Sequence, residues 1–440
     1  MRIRKLEINN LRVLENAEFD FDPQLNLIVG VNGVGKSTVL EALRICSSRI
    51  LPHITKSRTK AMSFSIDDIR SGFPFLDVEV SFEHNRQEFR YTRREWSERF
   101  AVDDQENIEK LKRKILDTDR LRDRPRNLLR ELDESLDVSD TDSFEPSLKD
   151  LKKHASASRI ASNCIFFSTS RSIVSDASAK KSKTAGGEAA AYAEALSSRS
   201  LYLGQFANWM QAQKQLAGEL PLSARHLEVL ERVVSRFLPD YQSLRPNDDK
   251  KNPRLLIDKS GTTLNVRQLS DGERGILALV LDIARRLSQA NPTLDDPLGD
   301  GEAIILIDEI DLHLHPKWQR QILKNLMAVF PKCQFIATTH SPQVIGEVEH
   351  DRIWIIANGQ VYSPTHSFGV DSSRVLDEIM EAESRTQEVQ DLLARLSHAI
   401  GDEQFENARQ LLGDLVALVG EDDTEVIRVR TLLEFMEDSE

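Results

Sequence analysis

The stretch from Leu25 to Thr38 limits this chain's fold more than any other. A short apolar run, Leu25-Asn26-Leu27-Ile28-Val29, ends at Gly30-Val31-Asn32-Gly33-Val34-Gly35-Lys36-Ser37-Thr38, which has the spacing GxxxxGK[ST]. A helical pattern follows from Ser37 to about Ser47. Strand, tight loop and helix N-terminus in that order turn backbone N–H groups onto a phosphate at the positive end of the helix dipole. Asn32, Gly33, Gly35, Lys36, Ser37 and Thr38 are therefore candidate nucleotide-binding residues. Lys36 is expected to reach the β- and γ-phosphates and Ser37 to ligate Mg²⁺.

A second apolar run, Ala303 to Ile307, ends in Asp308 and Glu309. Alone, such a strand end is as often a surface feature as a site. Beside a phosphate loop, Asp308 is expected to hold Mg²⁺ through water and Glu309 to polarise the water that attacks the γ-phosphate. A third run, Gln334 to Thr339, ends at His340, which is placed to contact the γ-phosphate. His313 and His315 suit packing in a loop better than metal binding. Leu269-Ser270-Asp271-Gly272-Glu273-Arg274 precedes a helical pattern over 275–287, with Ser270 placed to cap it and Gly272 open to a close backbone approach.

Composition narrows the class. In 440 residues, 40% hydrophobic and 29% charged, there is a globular core but no apolar run of membrane length. The start, Met1-Arg2-Ile3-Arg4-Lys5, has no signal region, and three scattered cysteines suit a reducing, cytoplasmic setting without structural zinc. Charge is segregated. Residues 371–440 hold 19 Asp and Glu against 6 Arg and no Lys, which accounts for the whole net charge of −13. That region is the least suited to a phosphate backbone.

Strands alternating with helices across 254–358 imply a largely parallel sheet with covered faces, an α/β fold. A hairpin is expected from Phe75 to Arg94 around Glu83–Arg86, helical spacing over 107–136, a polar linker over 140–152, a buried strand at Cys164–Ser168 and a mobile loop over 175–187. Further helices are expected over 200–215, 222–237, 273–289 and 317–329. Amphipathic stripes mark the tail, led by Val389, Leu392 and Leu396, by Leu411, Leu415 and Leu418, and by Val426, Val429, Leu432 and Leu433. The boundaries drawn are 1–100 and 251–368 for two parts of one nucleotide-binding lobe, 101–250 for a largely helical insert, and 369–440 for a helical tail module.

The four motifs, in this order, resemble the ATP-binding cassette superfamily, and specifically its SMC/RecF/OLD branch. The resemblance covers residues 1–50 and 254–358. It implies an ABC-ATPase head, a P-loop NTPase with mixed and parallel sheet and covering helices, that uses ATP and Mg²⁺. In this branch Leu269–Glu273 corresponds to the signature sequence, here with Asp271 for the usual second glycine and Glu273 for glutamine. Ser270, Gly272 and Glu273 would cover the nucleotide held by a second copy, so a homodimer with two sandwiched nucleotides is implied. Asp311 matches the D-loop residue and His340 the switch histidine. Arg171 is a candidate phosphate-proximal residue, with a structural role as the alternative.

About 70 residues after Phe368 are too few for the metal-binding nuclease domain of OLD proteins, and the insert is too short for an SMC coiled coil. The tail and the 165–171 and 309–316 segments are most similar to the ATPase subunit of Septu-type anti-phage systems, also found with retrons. That resemblance implies an HNH nuclease subunit as partner and any DNA contact through the complex. The alternative is a RecF/SMC-like DNA-repair or clamp ATPase using basic residues such as Arg86, Arg90, Arg93, Arg94, Lys149, Lys152, Lys153 and Lys180 to Lys183. No nuclease motif of the chain's own is present in the sequence.

Overall fold

Alternating side chains near the N-terminus build an antiparallel sheet. β1 (Arg2–Leu11), β2 (Leu14–Asp20), β4 (Phe75–His84), β5 (Gln87–Trp96) and β6 (Thr141–Glu145) pair in the order β2-β1-β4-β5-β6. The β4–β5 hairpin is tighter than the predicted four-residue turn. Only Asn85 and Arg86 turn, both at positive φ (52° and 64°), the geometry whose twist suits a two-residue hairpin. Glu83 and His84 stay in the ladder opposite Glu88 and Gln87.

The second sheet is parallel and central. β3 (Leu25–Val29), β7 (Asn163–Phe167), β11 (Ala303–Ile307), β12 (Gln334–Thr339) and β13 (Ile353–Ala357) run parallel, with β14 (Gln360–Tyr362) antiparallel at one edge. The order is β14-β13-β3-β12-β11-β7. β3, β7, β11 and β12 are buried along their whole length, as strands covered on both faces must be. A third sheet joins β8 (Tyr241–Pro246), β9 (Leu255–Lys259) and β10 (Thr262–Asn265), turning at Ser260-Gly261.

Helix α1 (Lys36–Ile54) begins on the phosphate-loop motif and is buried almost all round. Its Val39, Leu40, Leu43 and Ile50 share one core with Leu6 and Val80 of the antiparallel sheet and Ile304 and Ile336 of the parallel one. The helix is therefore the filling between two sheets. Its apolar residues spread over most of its circumference because little of the helix meets water, Ser37 and Pro52 being its exposed positions. Helix α2 (Leu148–Ser156) places Leu151 in the same core. Helices α3 (Leu203–Leu216), α4 (Pro221–Phe237) and α5 (Asp271–Ala290) follow. The helix expected over 317–329 is two, Pro316–Gln319 and α6 (Ile322–Val329).

In this computed structural model the described residues are 1–97, 141–156, 160–172, 188–198, 203–249, 254–370, 375, 385–402 and 404–437. The helical pattern at 107–136 and the loop at 175–187 lie outside them. Two expectations are corrected. The segment 140–152 is no linker: Thr141–Glu145 is an edge strand on β5, and Leu148 opens α2. Asp142 explains the strand, since it accepts hydrogen bonds from Tyr91 and Arg49 (both 2.5 Å) and from Arg93 (3.2 Å), contacts invisible to local patterning. Likewise 101–250 is not only a helical insert, because it supplies β6 and β8 to two sheets and β7 to the parallel sheet. Among the described residues no helix is long and apolar enough to cross a membrane.

The chain folds as two compact units, Met1–Val370 and Asp371–Glu440. The second unit carries α7 (Gln387–Gly401), α8 (Phe405–Val419) and α9 (Thr424–Glu437). Val389, Leu392 and Leu396 pack with Leu411, Leu415, Val426, Val429 and Leu433, so most of the predicted stripes face one another. Leu418 and Leu432, placed on those stripes, are exposed instead.

One buried histidine is expected to make the first unit acid-sensitive. His84, at the end of β4, is 2% exposed, and neither ring nitrogen has a hydrogen-bond partner. Burial, then the Met1 ammonium, push its pKa down to about 4. Between there and the ordinary value near 6.5 the unfolded chain binds the extra proton, so stability is lost as pH falls through that window. His84→Phe is expected to remove on the order of 2 kcal/mol of that acid loss. Thermal unfolding at pH 7.5 and pH 5 measures it. Equal pH sensitivity in both proteins would refute the assignment.

Candidate functional site

Three of the four motifs lie on turns that leave one end of the parallel sheet, and the Ser168–Arg171 turn leaves the same end. β3, β7, β11 and β12 run parallel, so Gly30–Lys36, Ser168–Arg171, Asp308–Asp311 and Thr339–Ser341 converge at their carboxyl ends. Ligands of open α/β sheets bind there, where connections part to either side.

The loop after β3 has the backbone its glycines require. Gly33 sits at φ +87°, with no heavy atom within 4 Å of where a Cβ would stand. A Cβ on Gly30 would come within 2.6 Å of the Ile356 carbonyl oxygen, so that glycine serves packing. Gly35, at φ +110°, is the N-cap of α1. Asn32 lies exposed in the loop, and Thr38 is buried in the first turn of α1. Lys36 is 7% exposed, and its Nζ donates to the carbonyls of Gly30 (2.7 Å) and Val31 (3.0 Å). Burial lowers its pKa against the opposing pull of Glu309, Asp308 and Asp311. Those three acids therefore share a field with the loop lysine.

Hydrogen bonds tie the loop to the carboxylates. Ser37 Oγ donates to Asp308 at 3.0–3.1 Å, and Thr338 Oγ1 donates to Asp308 Oδ1 at 2.7 Å. The same Thr338 Oγ1 accepts from the Glu309 amide at 2.8 Å, and the Thr338 carbonyl accepts from the Ile310 amide at 2.9 Å. Glu309 itself stands at φ +49°, a left-handed conformation that costs a non-glycine residue on the order of 1 kcal/mol. Thr339 Oγ1 donates to Asp311, and His340 Nε2 lies 3.7 Å from Asp311 Oδ2. His340 is half-exposed and Asp311 is buried.

Arg171, a candidate for phosphate contact, is buried instead against the backbone. Nη1 donates to the carbonyls of Ser168 and Asp308, and Nη2 donates to that of Glu309. Burial pulls its pKa down to about 10 against the nearby acids Asp308, Asp311 and Glu309. Those donors are given to the chain's own carbonyls, which is the structural role set out as the alternative.

The 269–273 segment is built as a helix start. Ser270 caps α5: its Oγ accepts from the Glu273 amide (3.3 Å), while Glu273 accepts from the Ser270 amide (2.9 Å) and hydroxyl (2.8 Å). Burial works against charge on Glu273, but the bonds from Tyr241 and Ser270 and the nearby Lys259 outweigh it and keep the carboxyl below its usual range. Glu273 is thus occupied in holding the cap. Gly272 is packed where a Cβ would lie 2.6 Å from the His313 carbonyl oxygen, and His313 is at φ +60°. His315 caps the turn at Pro316. Both histidines therefore serve the loop. Among the described residues no hydrogen bond or ion pair joins Ser270, Gly272 or Glu273 to the loop at 30–38.

A triphosphate with Mg²⁺ asks for converging amides, a cation and hard oxygen ligands, and these residues fit it. Mg²⁺ needs only one or two protein oxygens besides phosphate and water, and the Ser37–Asp308 pair supplies them. Among the described residues no cluster of three or more His, Cys, Asp or Glu side chains is placed to hold a metal. Thr338, Thr339 and Arg171 hold the site together. Of these, the two buried threonines just before His340 are a sequence signal for it. Of the basic residues weighed for a DNA track, Arg90 pairs with Glu79 and Glu145, Arg93 with Glu95 and Asp142, and Arg94 with Asp77. Lys180 to Lys183 lie outside the described residues.

A family model described as "AAA domain, putative AbiEii toxin, Type IV TA system" matches residues 25–346. The retron Ec83 probable ATPase of Escherichia coli is 38% identical over 227 residues, 50% of this chain and 41% of that protein. The Septu protein PtuA of Bacillus thuringiensis is 24% identical over 349 residues, 78% of this chain and 72% of that protein. The chain spans 41% of the Ec83 ATPase and 34% of the retron Vc95 probable ATPase of Vibrio cholerae, under half of each. Among solved structures, an SMC head bound to the C-winged helix domain of ScpA has a TM-score of 0.46 at 14% identity, covering 83% of this chain and 98% of that one.

Proposed function

This chain belongs to the AAA domain family matched over residues 25–346, and from that premise we propose that it is a regulatory ATPase of an anti-phage defence complex. It binds ATP with Mg²⁺ in the loop after β3 and hydrolyses it within a head-to-tail homodimer. Through that cycle it controls a partner nuclease of the HNH type. The observation that carries the reading is the bonded series Ser37–Asp308–Thr338–Glu309 beside Lys36, which joins loop, metal-ligand and base positions in one site.

Lys36 would give its backbone partners up for the β- and γ-phosphates, and Ser37 with Asp308 would hold the metal. Mg²⁺ bound there would neutralise charge on the phosphates. Glu309 would take the proton of the attacking water, and His340, set beside Asp311, would read the γ-phosphate. Ser270 supports the dimer, because it is exposed at the N-terminus of a 20-residue helix, where backbone N–H groups and dipole favour an anion. Gly272 keeps that helix start close to the 308–314 segment. A phosphate held by one copy would thus be covered by the other. The γ-phosphate, contacted by both copies only in the closed pair, would supply the differential affinity that hydrolysis removes.

The retron and Septu names of the relatives support the defence assignment. The acidic unit from 371 onward is the proposed platform for a partner with a basic face. Co-expression with a neighbouring HNH protein tests the reading. The expected result is a stable complex that loses the partner when 371–440 is deleted and loses ATP control of DNA cleavage in Lys36→Ala. Failure of the purified chain to bind ATP with Mg²⁺ in calorimetry would overturn it.

A further inference from the structure

We propose that Arg171 is a positioning residue for Glu309, holding the Glu309 peptide in the left-handed conformation that sets where its carboxylate points. The inference rests on Glu309 being the base of the proposed reaction.

Glu309 stands two residues beyond the end of a fully buried strand, at φ +49°. Such a conformation persists only where its surroundings over-determine it. Four contacts do so here, one of them the Leu312 amide, which donates to the Glu309 carbonyl at 3.0 Å. Thr338 accepts from the Glu309 amide, while Arg171 donates to the Asp308 and Glu309 carbonyls. Two successive carbonyls bound by one side chain call for a planar fork of donors, which a lysine ammonium lacks.

The guanidinium is held for that task. Arg171 leaves β7, the neighbour of β11, through the turn Thr169–Ser172, and Nη1 also donates to the Ser168 carbonyl at 3.1 Å. Its residue is 6% exposed, a costly place for a cation whose hydrogen-bond partners are neutral carbonyls. Asp308, Asp311 and Glu309 nearby offset part of that cost. A cavity of about 20 Å³, room for about one water, is lined by Arg171 together with Gly275, Ile276 and Leu279 of α5 and with Ile310 and Leu312. The side chain thus reaches the carboxylate turn and shares a cavity with the helix that starts at Ser270.

The test compares wild type, Arg171→Lys and Arg171→Met as full chains, by ATP turnover, by binding of a non-hydrolysable ATP analogue and by hydrogen exchange without nucleotide. In Arg171→Met, turnover is expected to fall about 100-fold, the loss typical of a misplaced catalytic group. Analogue affinity should stay within about twofold, and amides over 308–312 should exchange faster. Arg171→Lys should fall between, because it keeps charge and a donor but loses the fork. If Arg171→Met does not fold, Arg171→Lys carries the same comparison. Analogue affinity falling in step with turnover would make Arg171 a phosphate ligand and overturn the proposal. Unchanged exchange over 308–312 would overturn it as well. Exchange is read without nucleotide, so a wild type that never hydrolyses ATP would sink the proposed function while the clamp itself is still decided.

Discussion

Glu309→Gln lowers ATP turnover by about 1000-fold while nucleotide binding survives, within the range that loss of a general base produces. The expectation follows from how the residue is held. Its amide donates to Thr338 Oγ1 and its carbonyl accepts from Arg171, so both clamps grip backbone and neither needs the carboxylate. Glutamine keeps the shape and the left-handed turn, but it cannot accept a proton from water. ATP then binds and is not consumed, and the paired form should accumulate. Turnover under saturating ATP, with size-exclusion in ATP and ADP, measures both effects. A variant retaining more than a tenth of wild-type turnover would remove Glu309 from the mechanism.

Two inactive variants regain activity when mixed. Lys36→Ala removes the loop cation, and Ser270→Arg removes the cap of α5 and fills the space before it. Losing the cap alone costs about 1 kcal/mol, which a chain of this size tolerates. In a head-to-tail pair of one copy of each, both lesions fall in one site. The other site keeps Lys36 from one copy and Ser270 from its partner. With random pairing and independent sites, turnover should recover to about a quarter of wild type, the share of intact sites in a symmetric dimer. Differently tagged copies confirm that mixed pairs form. Mixed pairs without turnover would mean that each site is completed within one chain.

Legibility in the sequence follows the range of the interaction. The loop, the apolar strands at 303–307 and 334–339 and the cap at Ser270 depend on neighbours within a few residues, so periodicity and spacing reveal them. Fold class was legible for the same reason, since buried parallel strands are continuous apolar runs. Glu273 shows the limit: its spacing from Ser270 suits both a capping box and a ligand set, and the structure gives its carboxylate to the cap and to Tyr241.

Arg171, Thr338 and Asp142 act across separations that no local window spans. Arg171 binds carbonyls 137 and 138 residues away, Thr338 binds a carboxylate 30 away, and Asp142 pairs with Arg49 at 93. The segment 140–152 read as a linker for that reason. Its polar residues are satisfied by distant partners, and hydrophobic pattern does not record them.

By itself the sequence determined that a strand, a phosphate-shaped loop and a helix occur in that order, and that two carboxylates end a buried strand. Backbone conformation and apolar period are local properties. Tertiary structure alone decided that those carboxylates stand beside the loop, that Glu309 is held left-handed, and that a buried arginine holds it. Each of these depends on which strand lies next to which, and that adjacency is settled by burial of the whole core.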